Sequence, residues 1–412
     1  MAKVGRPPRY RWAILALAFL ATLIEHLLLF SSSPLVSQIM PEMNISYTQA
    51  GFILPMSFLM ITLLRIPWGL LCDRIGVKLT MGLAIATMSV AGLLRGLAVN
   101  YWTLLIFQAF LGVGVAAIVP CLPKLAAAWF PPEELGLATG IYVAGFSIGN
   151  MLGLGLTPHV LAVVGTWRGT FHVYGVSGLV LAAAWWLIAK EPTTHKARSK
   201  SSLRKDIAAI VRMRDVWVLT GLLLCAMGSY DTLCYWLPSM LVELKGVPSV
   251  TAGLLASMLP LGFLVAGLTT GVSSDRIGLR KPFIWILGLL SGPAILAIEK
   301  SQGLPLWVTV FVSGFCTIGV LTLVFLILAE LPEVAGFVAS ASGWVSSLAN
   351  MGSVIMLTVV GYIKDVTGSF LPAVIMIAVV AEMTLALGFV VRETGKRVVV
   401  QPKLSKLTRS SS

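Results

Sequence analysis

The chain has 412 residues, of which 57% are hydrophobic and 11% charged, against roughly 25% charged in a soluble domain. Its 17 acidic and 30 basic side chains cannot cover the several cores that a soluble chain of this length would need, so an ordinary soluble enzyme is excluded and the bilayer is the solvent. The net charge of +13 is no nucleic-acid signature, because no polar domain gathers the basic residues on one face.

A helix needs ~20 residues to cross ~30 Å of hydrocarbon, and twelve apolar stretches reach that length. The N-terminal segment, 1–11, is basic (Lys3, Arg6, Arg9, Arg11). The first span, 12–36, carries Glu25 and His26 near its middle and Phe30 beyond them. The second, 48–70, carries Arg65 eight residues before Asp73, which at 1.5 Å per residue sets it ~12 Å into the membrane. A guanidinium at that depth is costly. It is expected to face a cavity and to meet an anionic solute, or an internal carboxylate such as Glu25 or Asp231 while the site is empty.

The third to sixth spans are 79–98, 102–126, 136–164 and 169–189. In the fifth, Asn150 stands among Gly145, Gly149 and Gly153. Its amide donates to an oxyanion without adding charge, and the glycines let a neighbouring helix approach closely. Residues 190–215 are the only long polar stretch inside the chain. Six more spans follow, at 216–240, 250–273, 282–299, 304–329, 335–363 and 369–391, ahead of a basic tail, 392–412. The seventh holds Tyr230, Asp231 and Tyr235, and the eleventh Asn350. Glu25, His26 and Asp231 are candidates to carry a coupling proton or to pair with Arg65. Phe30, Tyr230 and Tyr235 either clamp a planar anion or pack the helices. Glu382, in the twelfth span, is expected to make a local hydrogen bond, and Glu330 and Glu333 to pair with basic loops.

Lys and Arg in short loops stay cytoplasmic. All of them except Arg65, Arg95, Arg168, Lys245, Lys300 and Lys364 fall in the termini, the central stretch and the even-to-odd loops, so both termini are expected to be cytoplasmic. Cys72, Cys121, Cys225, Cys234 and Cys316 lie in or beside apolar runs without CxxC spacing or a Cys/His cluster, and are read as packing residues with no metal site. No P-loop, HExxH, GxSxG or EF-hand pattern occurs, so neither ATP nor a cofactor is expected and no bond is expected to change.

The halves 12–189 and 216–391 repeat each other. Gly69, Asp73, Arg74 and Gly76 recur 202 residues later as Gly271, Asp275, Arg276 and Gly278, while Gly149-Asn150-Met151 recurs 200 residues later as Ala349-Asn350-Met351. Such repeats imply two bundles about a pseudo-twofold axis with a solute site near the midplane. The doubled G-x-x-x-D-R-x-G-x-K/R pattern resembles the loop signature of the major facilitator superfamily. The resemblance implies an all-α, polytopic fold of twelve transmembrane helices in two six-helix bundles. Asp73 and Asp275 are then gating residues; Asp73 is expected to cap the following helix and to meet a cation of the other bundle.

Within that superfamily, Arg65-Ile66-Pro67, Trp129-Phe130-Pro131 and Gly149-Asn150-Met151 resemble the nitrate/nitrite porter family. This implies that Arg65 binds the anion and Asn150 lies beside it, with Asn350 as the counterpart in the second half. That family pairs two arginines, whereas the position matching Arg65 is Gly267. The missing charge brings a small organic anion such as a monocarboxylate level with nitrate. The fourth span has Gln108 where proton-coupled facilitators have Arg, which weakens a proton relay there, and Gly149-Asn150 replaces the Gly-Pro pair of drug antiporters. The expected function is therefore transport of a small anion across the cytoplasmic membrane by alternating access, as proton symporter or anion exchanger. Multidrug efflux by proton antiport is the alternative. The expected partners are the solute and the lipid, without nucleic acid, and the chain is read as a monomer.

Overall fold

The computed structural model describes residues 8–190, 208–334 and 337–395. Among them, twelve helices are long and apolar enough to cross a membrane. The first six are Arg9–Met43, Tyr47–Ile75, Val77–Gly96, Tyr101–Trp129, Pro132–Gly155 and Trp167–Ile188. The second six are Arg214–Lys245, Ser249–Ile277, Lys281–Lys300, Gly303–Glu330, Ser340–Thr367 and Leu371–Val390.

Most of these helices outrun the apolar stretches, the seventh reaching 32 residues. Hydropathy marks only the hydrocarbon, whereas backbone hydrogen bonding carries a helix on among the headgroups. The eleventh instead begins later than its stretch, because Pro332–Val334 makes a separate 3-10 turn. The basic residues of 1–7, 191–207 and 396–412 lie outside the described residues.

Several spans are broken where the sequence removes a donor. The first-span helix Pro8–Phe30 stops at Ser31 and Ser32, and a 3-10 turn, Ser33–Leu35, leads into the helix Val36–Met43. The Ser31 and Ser32 hydroxyls donate to the carbonyls of Leu28 and Leu29, satisfying helix-end acceptors. The fifth span restarts at Thr157 with Pro158 at its second position, where a missing N–H leaves no bond unmade. Pro67 sits inside the second-span helix Ile53–Ile75 without breaking it, leaving the Leu63 carbonyl, two residues before Arg65, without its backbone donor.

Glycines set the closest helix contacts. A Cβ on Gly145 or Gly149 would collide with the backbone carbonyls of Phe19 and Leu23 in the first span. Gly352 lies equally close to the Leu224 carbonyl in the repeat. Thr22 uses the proximity, donating to the Tyr142 carbonyl at 2.8 Å.

By internal contact the chain divides into two units, Met1–Arg198 with Tyr235–Ser257, and Ser199–Cys234 with Met258–Ser412. The sequence repeat differs from this division at 235–257, and hydrogen bonds give the reason. Tyr235 donates to the Ala50 carbonyl at 2.7 Å, and Ser33 donates to the Tyr235 carbonyl at 2.6 Å. Gly253 packs on the Leu154 carbonyl and Pro158.

Candidate functional site

In the first unit, Arg65 is half-buried on the helix Ile53–Ile75, while Glu25, on the helix Pro8–Phe30, is 2% exposed. The two side chains lie within electrostatic reach of each other. Glu25 Oε2 accepts no hydrogen bond among the described residues. A guanidinium carries five N–H donors in a planar fork, the donor set that suits a carboxylate or an oxyanion. Asn150 is buried beside Gly149, whose Cα lies against the carbonyl of Leu23, two residues before Glu25. The His26 ring packs on Phe146, with centroids 4.8 Å apart, and on Phe30.

The second unit has its own polar cluster. Asp231, 7% exposed, accepts from Ser353 Oγ at 2.6 Å. Asn350 precedes Ser353 by three residues on the helix Val338–Thr367, which places both on one face. The three aromatic candidates separate. Tyr230 meets Phe263 in the second unit, Phe30 is buried against His26 and Gly153 in the first, and the Tyr235 hydroxyl is taken by Ala50.

The repeated motif closes on itself within each unit. Asp73 pairs with Lys124 at 2.8 Å, and Lys124 also donates to the Gly69 carbonyl at 3.1 Å. The expected cap is absent: the helix Val77–Gly96 has Gly76 at its N-cap, with no side-chain hydrogen bond. Nor does the described ion pair of Asp73 reach a cation of the other unit: Lys124, on the fourth span, belongs to the same unit as Asp73. Gly76 and Gly278 both have positive φ, 88° and 74°, which accounts for glycine at this place in each repeat.

The second loop is built differently. Arg280 Nη2 bonds Asp275 Oδ1 and Glu330 Oε1 at 2.6 Å, and Nη1 bonds Ser274 Oγ at 2.6 Å. Its hydrogen bonds to Glu330 raise the Arg280 pKa above the ordinary guanidinium value. Glu393 accepts from the backbone N–H groups of Arg280 and Lys281, capping the ninth-span helix from beyond the twelfth. Glu333 pairs with Arg392 at 2.9 Å, as the sequence led one to expect, whereas Glu382 makes no local bond among the described residues but accepts from the Gly292 N–H of the ninth-span helix at 3.2 Å. Ser353, Lys124 and Glu393 were not singled out as partners. Ser353 carried a signal, its one-turn spacing from Asn350; Lys124 and Glu393 carried none, because their partners are distant in sequence.

Residues 18–289 match the family described as the Major Facilitator Superfamily. The chain is 24% identical over 411 residues to the D-galactonate transporter of Escherichia coli O6:H1 strain CFT073, covering 92% of this chain and 94% of that protein. It is 25% identical over 346 residues to the nitrite extrusion protein of Bacillus subtilis strain 168, covering 82% and 84%. A bacterial homologue of the human lysosomal transporter Spinster, solved in an inward-facing and unoccupied conformation, superposes with a TM-score of 0.75 at 18% identity, over 93% of this chain and 96% of that one. Twelve spanning helices among the described residues, a doubled Asp-Arg loop motif and a family match over most of the chain lead to one conclusion: this multi-pass membrane protein belongs to the Major Facilitator Superfamily of transporters.

Proposed function

We propose that the protein carries a small anion, an organic acid of the sugar-acid or monocarboxylate kind or an oxyanion such as nitrite, by alternating access. The observation that carries this reading is the Arg65–Glu25 couple in the membrane-spanning part of the first unit. An intramembrane arginine near a carboxylate can turn from it to a solute anion at small net electrostatic cost, whereas a lipophilic cation would be repelled. The relatives named for galactonate and nitrite transport point to the same solute charge.

In this reading Arg65 anchors the anion and Asn150 donates beside it. Asn350 and Asp231 are the polar groups of the second repeat, and the Asp73 and Asp275 loops open and close with the access change. Proton symport through Glu25 or Asp231 and exchange of one anion for another are both accommodated. The excess of Lys and Arg in the termini and even-to-odd loops supports a cytoplasmic side for both termini.

The test is uptake of labelled D-galactonate and of nitrite into proteoliposomes. Arg65→Gln is expected to lower uptake roughly 10- to 100-fold, the worth of one charge-assisted hydrogen-bonded contact. Arg65→Lys keeps the charge but loses the planar fork and should fall between. Unchanged anion uptake in Arg65→Gln, or transport of lipophilic cations with no anion transport at all, would overturn the reading.

A further inference from the structure

A second buried guanidinium stands apart from Arg65. Arg95 is the penultimate residue of the helix Val77–Gly96 and is 0% exposed. Its Nη1 donates to the Leu28 carbonyl at 2.9 Å and to Gln108 Oε1 at 3.3 Å, and its Cζ lies 4.2 Å from the centroid of the Phe171 ring. Its Nε and Nη2 have no hydrogen-bond partner among the described residues, nor does Nε2 of the fully buried Gln108. Among the described residues no carboxylate forms an ion pair with it, and its polar partners are a carbonyl and an amide oxygen.

A carbonyl and an aromatic face compensate part of this charge, the ring by about 2 kcal/mol, while desolvating an unpaired ion costs several kcal/mol. Gln108 gives its oxygen to Nη1 while its own Nε2 is buried without a partner, so two residues in contact carry three unpartnered donor atoms among the described residues. We propose that Arg95 and Gln108 form a second anion site in the first unit, taking a small monovalent inorganic anion of halide size. One uncompensated positive charge selects one negative charge. Enclosure by Arg95, Gln108, Leu28 and Phe171, each no more than 1% exposed, excludes a larger organic acid. The carbonyl gripped by Arg95 also accepts from Ser31, so an anion here stabilises the first span next to its break. This site does not depend on the role given to Arg65.

The experiment uses the full-length protein in sulfate buffer, titrated with sodium bromide, with the melting temperature and bromide anomalous scattering from crystals as readouts. Bromide is expected to raise Tm by about 2 °C or more, equally in Arg65→Gln, and to give an anomalous peak beside Arg95 and Gln108. Gln108→Leu, which removes the amide donors at similar volume, is expected to abolish the rise even if Arg95→Gln does not fold. Absence of the rise in Arg65→Gln, its persistence in Gln108→Leu, or a peak at Arg65 alone would overturn the site. Anion uptake that survives Arg65→Gln counts against the transport reading and leaves this one untouched.

Discussion

Arg280 holds two carboxylates and a hydroxyl at once, with its side chain 3% exposed while Asp275 and Glu330 are 48% and 28% exposed. Removing the cation leaves two acids close together, one of them largely desolvated. Arg280→Gln is expected to cost about 2 kcal/mol, below the usual loss for a fully buried pair because Asp275 keeps water, and to lower the Tm in detergent by several degrees. Asp275→Asn should cost clearly less, since Glu330 still holds the guanidinium in two hydrogen bonds. Equal losses in the two variants would show that the cluster is not organised around Arg280. At this scale the sequence identified the charges but not all their partners. Glu25 was a foreseeable partner for Arg65 because both sit deep in apolar spans. Lys124 for Asp73 was not, because 51 residues of chain separate them and only helix packing brings them to 2.8 Å.

The fifth-span helix shows how elements are matched. Gly149 sits where a Cβ would strike the Leu23 carbonyl, while Gly140, on the same helix, has open space where its Cβ would point. Gly149→Ala must therefore push the first-span helix away, at an expected cost of about 1–3 kcal/mol. Gly140→Ala is expected to be neutral or stabilising by up to about 1 kcal/mol, through helix propensity alone. Thermal unfolding of the two variants side by side checks this, and an equal response would mean that the two helices are not in contact at Gly149. The displacement would also move Glu25, two residues beyond Leu23, so Gly149→Ala should reduce transport along with stability. The stripe of glycines was visible in the sequence. Which helix it faces was not, because any neighbour accepts a small-residue face.

Over the whole molecule, the loop cations carry the proposed orientation and contact defines the units. All five cysteines are buried, which gives a clean background for labelling by a membrane-impermeant maleimide. Gln302→Cys, exposed in the turn between the ninth and tenth spans, is expected to label in intact cells. Glu133→Cys, exposed in the 3-10 turn Pro132–Glu134 that opens the fifth span, is expected to label only after permeabilisation. The reverse pattern would invert the proposed topology. The seventh-span helix shows that repeat and contact unit are separate properties: it belongs to the second repeat by descent of sequence, yet its residues from Tyr235 onward are bonded to Ala50 and Ser33 in the first unit.

The sequence by itself determined that the chain is a bundle of membrane-spanning helices, that it is a doubled unit, and that a few charges lie where lipid makes them costly. These follow from composition, from a length of ~20 residues per crossing and from a fixed offset, all of which are local or periodic along the chain. Tertiary structure decided which charges meet: Asp73 with Lys124, Asp231 with Ser353, Glu393 with the start of the ninth span, and Arg95 with a carbonyl and a ring in place of a carboxylate. Partner choice between residues remote in sequence depends on helix rotation and approach, which glycines and proline breaks set to within an ångström or two and which hydropathy does not encode.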